Sequence, residues 1–347
     1  MQKKLNTQKL LQKTAKILSK LNQKRDRGIF IKRFSLDGRK KLTLQALGDK
    51  YDITRERVRQ IVDVNLTVLK KTDACHLMEE ELNIIHQYFL ARGGVAPERK
   101  IVRDFFIDQD PKQEAHFLFL LHLGPNFILS KENKTFYRYW GLSSEHIKKA
   151  KNSIEEIVNF LKRKKRVFNE QNFLESLNQD PKNSLNLEHS VFLNFLHISK
   201  KIGYNAFNEW GLNLWKEIQP SGTRAKAYLV LKHQGSPMHF QEITNKINQI
   251  KIGRPAHPGT LHNELIKDPR FVLVGRGLYA LKIWGYRKGR VKEILIDLLK
   301  QNKNEMEKNK LVNEVLKQRI VQRQTVILGL KANEFEILKN GIVKLKA

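Results

Sequence analysis

Arg55, Glu56, Arg59 and Gln60 stand within six residues, and at about 100° per residue they fall on one arc of a helix. Their chemistry suits the edges of base pairs. An arginine grips guanine O6 and N7 with two parallel donors, a glutamate accepts from cytosine N4, and a glutamine pairs with adenine. Val58 and Ile61 fall on the opposite arc, so one face packs while the other reads. The plain alternative is a solvated charged face with no ligand. The residues in front of the arc argue against it.

Over LTLQALGDKYDITRERVRQI, residues 42–61, Leu42, Leu44, Leu47 and Tyr51 recur at helical spacing, and Asp52-Ile53 ends the pattern. Gly48 stands where a close helix crossing needs a small residue. Thr54 is placed as an N-cap, its hydroxyl free to take an orphan backbone N–H before a second helix opens at Arg55. The spacing predicts a helix-turn-helix whose second helix enters a major groove.

Charge points the same way. The 347 residues hold 65 Lys and Arg against 35 Asp and Glu, a formal net charge of +30, which attracts a polyanion, nucleic acid before an anionic membrane. Residues 1–72 carry 20 of those cations and 6 of the acids, so the excess concentrates around the arc. A 40% hydrophobic content and four Trp exclude a disordered basic tail, and the length allows two or more domains. Cys75 is the single cysteine, which excludes an internal disulfide framework and fits a reducing cytoplasm. Lys3, Lys4, Lys9, Lys13, Lys16 and Lys20 interrupt any apolar signal core, and no run of about 18 apolar residues occurs. A cytoplasmic, nucleoid-associated protein without a membrane span is expected.

RDRGIFIKRFSLDG from Arg25, followed by LTLQALGDKYDITRERVRQI, resembles region four of the bacterial sigma-seventy family, the part that reads the promoter's minus-thirty-five element. The resemblance runs from Arg25 to Lys71, under a fifth of the chain. It implies base contacts for Arg55, Glu56, Arg59 and Gln60 and backbone contacts for Arg25, Arg33, Thr43, Leu44 and Arg57. Double-stranded DNA and the RNA polymerase core enzyme are the partners it implies. Two departures stand out: Ala46 occupies a position where the family favours a carboxylate, and Val62-Asp63-Val64 replaces a glutamate followed by a basic position. The chain has no counterpart of the family's region two, which melts the downstream element.

Ahead of this unit, residues 7–22 read as an amphipathic helix with Leu10, Leu11, Ile17, Leu18 and Leu21 set among lysines. Packing on the next helices with some phosphate contact is expected of it, with a role on DNA or on a membrane surface as the other possibilities. Asp26–Phe34 continues as a helix and Ser35–Lys41 as a basic loop. Beyond it, Trp-Gly pairs at Trp140, Trp210 and Trp284 recur at intervals of 70 and 74 residues, each closing a block of helical stretches and two short strands. The expected fold class is mainly α: a helix-turn-helix domain over 1–75, then tandem winged-helix modules, each of three helices and a short β-hairpin. These span 80–142, 150–216 and 222–286, with a shortened copy over 289–347.

The third block resembles the HARE-type winged helix, the fold of the amino-terminal domain of the polymerase delta subunit. The match rests on Met238-His239-Phe240, His257-Pro258, Leu261–Leu265 and Phe271–Gly277. Gly275-Arg276-Gly277 reads as a hairpin tip where glycine supplies positive φ and thrusts Arg276 outward. Contact with a phosphate or a polymerase surface, and an exposed arginine with no role, both stay open there.

Other constellations yield no chemistry. Cys75, His76 and His86 lack a fourth ligand, and His257 and His262 with Glu264 cannot share a helical face as a zinc pair needs. Asp108, Asp110 and Glu114 lack a calcium loop's glycine and bidentate partner. No phosphate-cradling glycine loop or nucleophile triad can be assembled. Neither an enzyme, a cofactor, a metal nor a small-molecule substrate is expected. Phe117, Phe119, Tyr139, Phe192, Phe195 and Tyr204 recur at matching places, which favours core filling over stacking of single-stranded bases. The leading expectation is a sigma-like transcription protein. A polymerase accessory factor acting by protein contact and an architectural DNA-binding protein are the alternatives.

Overall fold

The computed structural model describes residues 5–21, 23–71, 74–106, 110–250 and 253–346. Within them the chain is mainly helical with small antiparallel sheets. The backbone forms two compact units, Met1–Gly203 with Trp210–Asn213, and Tyr204–Glu209 with Leu214–Ala347.

The first unit opens with helix α1 (Thr7–Ser19), started by the Asn6 side chain, which accepts from Lys9 N at 3.0 Å. Leu10, Thr14, Ile17 and Leu18 are buried, and Lys13 Nζ reaches Glu81 at 2.6 Å. Of the roles open to this helix, packing is the one the structure displays. Helix α2 (Lys24–Phe34) closes on Ser35, which takes a left-handed φ of 59° and turns the chain into the basic loop. Helices α3 (Leu44–Tyr51) and α4 (Arg55–Lys71) follow, then a single turn, α5 (Ala74–Leu77).

From Glu79 onward one order of elements recurs four times: a helix, a short strand, two helices and two strands. The first run is α6 (Glu79–Leu90), β1 (Val95–Pro97), α7 (Glu98–Phe105), α8 (Pro111–Leu123), β2 (Ile128–Ser130) and β3 (Tyr139–Gly141). The second is α9 (Ser144–Lys164), β4 (Phe168–Asn169), α10 (Glu170–Asn178), α11 (His189–Ile198), β5 (Ile202–Tyr204) and β6 (Glu209–Leu212). In the second unit α12 (Gly222–Gln234), β7 (Met238–His239), α13 (Phe240–Gln249), α14 (Pro258–Lys267), β8 (Phe271–Gly275) and β9 (Leu278–Leu281) form the third. The fourth is α15 (Val291–Gln301), β10 (Glu305–Glu307), α16 (Lys308–Gln318), α17 (Arg323–Gly329), β11 (Phe335–Ile337) and β12 (Ile342–Leu345). Its elements are complete, and it is shortened only in its connections.

Each sheet has three strands, not the two of a bare hairpin. The last strand of each run lies between the first and the second, in the orders β1-β3-β2, β4-β6-β5, β7-β9-β8 and β10-β12-β11. The extra strand is two or three residues long, too short to leave a period-two pattern in the sequence. Register shows what the repeats share. Trp140 sits between Ala96 and Leu129, Tyr279 between Met238 and Leu273, and Val343 between Met306 and Ile337. All three central residues are buried. Trp210 lies on β6, whereas Trp284 lies past β9 in a single 3-10 turn. The third Trp-Gly pair is therefore not the counterpart of the first two. Tyr279 takes that place, and Val343 fills it where the fourth run lacks a Trp.

Packing joins the first repeat to the segment before it. One hydrophobic core runs from Leu5 to Leu142, and α8 supplies its centre. The Phe119 ring lies 6.1 Å from Phe30 and 5.1 Å from Phe34, both on α2, and His116 Nε2 is 2.9 Å from the Leu36 carbonyl oxygen. Residues 1–75 and 80–142 thus share a single interior. The physical reason is that α8 buries Phe117 and Phe119 together, so its apolar surface covers more than its own repeat. The third and fourth repeats have separate cores, joined where Ile320 N donates to Val274 O at 2.8 Å. Among the described residues no helix is long and apolar enough to cross a membrane.

Candidate nucleic-acid interface

The reading face depends on how α3 hands the chain to α4. Thr43 starts α3, its Oγ1 accepting from Ala46 N at 3.1 Å, and Asp52 ends it in the left-handed region at φ 52°. Gly48 is required at the turn, because a Cβ there would stand 2.6 Å from the Ile53 carbonyl oxygen. It is the turn backbone, not a helix crossing, that needs the small residue. Thr54 Oγ1 accepts from Arg57 N at 3.1 Å and so caps α4. Leu47, Val58 and Ile61 are buried between the two helices, which fixes the roll of α4 and turns the other arc outward.

Arg55, Glu56, Arg57, Arg59 and Gln60 are all exposed on that arc. Most of them are already engaged along the helix surface. Arg59 donates to Glu56 at 2.6–3.0 Å and to Asp63 at 2.7 Å, and Arg57 donates to the side-chain oxygen of Gln60 at 3.3 Å. The hydrogen bond from Arg59 holds the Glu56 carboxyl below its usual range, and Glu56 in turn raises Arg59. Both stay ionised at neutral pH, and the face presents donors and acceptors that must exchange partners to meet a base edge.

The expected backbone contacts divide. Arg25 is exposed, with Nε 3.6 Å from Asp26, and Arg57 is exposed on α4. Thr43 spends its hydroxyl on the cap, and Leu44 packs its side chain against the core, so both offer backbone N–H groups at the start of α3. Arg33 is half-buried. Its Nη1 donates to Leu42 O at 3.1 Å and ties down the end of the basic loop, while burial and then nearby Arg138 lower its pKa.

Arg276 stands exposed in the second unit, at the two-residue turn between β8 and β9. Of its flanking glycines only Gly277 adopts positive φ, at 69°, and a Cβ there would collide with His239 Nε2 at 2.3 Å. Gly275 is needed for a different reason: a Cβ would stand 2.8 Å from the Ile320 carbonyl oxygen.

The set-aside constellations have ordinary partners. Glu264 is paired with Arg224, and His262 stacks on Phe240 at 4.6 Å. Asp110 Oδ1 caps α8 by accepting from Lys112 N at 2.9 Å, while Asp108 and the Cys75 side chain lie outside the described residues. Phe117, Phe119, Tyr139, Phe192 and Phe195 are buried, and Tyr204 is exposed. Two features escaped the sequence reading. Asp63 is the second partner of Arg59, for which the i,i+4 spacing was the available signal. A histidine beside the central tryptophan recurs, His122 against Trp140 at 4.8 Å and His197 against Trp210 at 5.5 Å.

Comparison with family models places two segments. Residues 17–71 match sigma-70, region 4. The match begins within α1 and ends with α4, so it includes the capped turn and the whole exposed arc. Residues 223–284 match the HARE-HTH family, a restriction endonuclease HTH domain by its description, and this takes in the third repeat. Comparison with curated proteins returns no match. Two helix-turn-helix matches in one strongly basic chain support a DNA-binding, transcription-related role.

Proposed function

We propose that the protein binds promoter DNA as a region-four-like reader, setting α4 in the major groove at a minus-thirty-five-type element, and associates with RNA polymerase to regulate initiation. The observation that carries this reading is the exposed arc of Arg55, Glu56, Arg59 and Gln60 on a capped helix inside the segment that matches sigma-70, region 4. Arg25, Arg57 and the backbone N–H groups at Thr43 and Leu44 hold flanking phosphates. The four repeats, over 80–142, 150–216, 222–286 and 289–347, are winged-helix modules in this reading, with Arg276 at the tip of the third wing. The protein works in the cytoplasm, on the nucleoid.

Selection of bound sequences from a random duplex pool, with and without polymerase core enzyme, is the direct test. Arg59→Ala should weaken the selected sequence by about 5- to 150-fold, the range of one bidentate base contact, and leave random duplex nearly unchanged. Equal weakening of both would sink base reading. One observation favours a second reading, action by protein contact: Asp63 sets a carboxylate beside Arg59 on the face meant for DNA. Under that reading polymerase binding survives alanine at all four positions.

A further inference from the structure

A cleft of about 400 Å³ opens in the first unit between the basic loop after α2 and the first repeat. Arg39, Lys40 and Lys41 line it from the loop, and Arg138, from the segment leading into β3, lines it from the other side. A single carboxylate, Glu114, shares the lining. Four cations against one acid leave this small space strongly positive.

The cations are crowded, and the structure supplies them with little compensation. Arg138 Nε lies 3.0 Å from Glu98 Oε2 without a hydrogen bond aligned between them, and the same carboxylate oxygen accepts from Trp140 Nε1 at 2.9 Å. Lys41, open to solvent over part of its surface, is lowered by burial of the remainder and by Arg33 and Arg138. His122 stands against Phe34 and Trp140, and burial with Lys41, Arg138, Lys70 and Arg33 around it lowers its pKa to about 3. The floor of the cleft is therefore a neutral ring, and its rim is a set of like charges that an anion would relieve.

We propose that this cleft is a phosphate-binding site, built jointly by the reading segment and the first repeat. Lys41 is two residues from Thr43, where α3 turns its N-terminus toward the DNA backbone under the proposed function, so a duplex phosphodiester is the nearest source of the group. A free polyphosphate carries the same chemistry. The duplex arm rests on the DNA-binding reading, though not on base recognition.

The test uses the full chain, the double variant Lys40→Gln/Lys41→Gln and the charge-keeping Lys41→Arg. A short random-sequence duplex is titrated at salt concentrations between about 50 and 200 mM, where each neutralised phosphate adds about 0.9 to the slope of log K against log salt. If the duplex supplies the phosphate, the double variant neutralises at least one phosphate fewer. Wild type then weakens about 3.5-fold more than the variant across that range for each phosphate by which they differ. Inorganic pyrophosphate, titrated by calorimetry, is the second arm. Binding to wild type and not to the double variant, with the duplex slope unchanged, supports the site and assigns it to a free polyphosphate. Lys41→Arg should behave as wild type in whichever arm responds. The proposal is overturned if the double variant matches wild type in both arms, or if Lys41→Arg fails as badly as the glutamines. Because the duplex has random sequence, loss of base selectivity in Arg59→Ala leaves this result standing on its own.

Discussion

The shared interior of the first unit makes a prediction about folding that a chain of separate domains would not. Phe119 is 1% exposed and touches Phe30 and Phe34 across the line between the reading segment and the first repeat. Truncation to alanine removes a fully buried ring and leaves a cavity bounded by both, at a cost of about 3–5 kcal/mol. That range already includes the ring stacking that Phe30 and Phe34 would forfeit. Against a typical total of about 5–15 kcal/mol this is a large share, and it falls on both segments at once. Hydrogen exchange on the full chain reads the two separately. Backbone amides of α4 and of α6–α8 should lose protection together and by similar factors in Phe119→Ala, and duplex affinity should fall although no DNA-facing residue has changed. If the α7 and α8 amides exchange faster while those of α3 and α4 keep their wild-type protection, the segments fold independently and the shared core does not couple them.

Three further outcomes follow from the geometry. Asp63→Asn frees one side of the Arg59 guanidinium and removes an acid from the DNA-facing arc, so random-duplex affinity measured by anisotropy should rise by a factor of about 1.4 to 5; unchanged affinity would mean that the pair seen at 2.7 Å is not competing with DNA. Thr54→Ala removes the cap on α4 and should lower stability by about 1 kcal/mol in urea titration, with no effect expected if water replaces the hydroxyl without cost. His122 has a folded pKa of about 3 against an ordinary 6.5, so it is neutral when folded and gains a proton more readily when unfolded. Its contribution is intact above pH 6.5 and is lost as pH falls from 6.5 toward 3, reaching about 2 kcal/mol at pH 5. His122→Phe, which keeps the ring stack, should flatten that acid limb; an identical acid profile would show that His122 is hydrated in the native state.

What the sequence made legible was local. The turn between α3 and α4 could be placed because each signal, Gly48, Asp52 and Thr54, acts on a backbone atom within a few residues of itself. The outward arc followed from a 3.6-residue period over one helix, with Val58 and Ile61 as its buried counterweight. The repeats were visible through tryptophan, and that signal was misleading at its third occurrence. Trp284 sits beyond the sheet, and the position that Trp140 and Trp210 mark is held by Tyr279 and then by Val343. A residue's type can change between repeats while its pairing stays fixed, because the requirement there is a buried, strand-compatible side chain and not an indole.

Features that were not legible depend on residues far apart in the chain. Nothing near Phe119 in sequence says that it packs on Phe30 and Phe34, some 85 to 89 positions earlier. Arg138 and Lys41 likewise look like two more cations in a chain with 65 of them. Only when α8 draws the first repeat onto the back of α2 do they face one cleft. The same packing event therefore has two effects: it ties the stability of the reading helix to the first repeat, and it adds cations from that repeat to the rim beside α3. A reader of this kind cannot be trimmed to its helix-turn-helix without losing both, which is why the exchange measurement on Phe119→Ala and the salt series on Lys40→Gln/Lys41→Gln probe one arrangement from its apolar and its charged side.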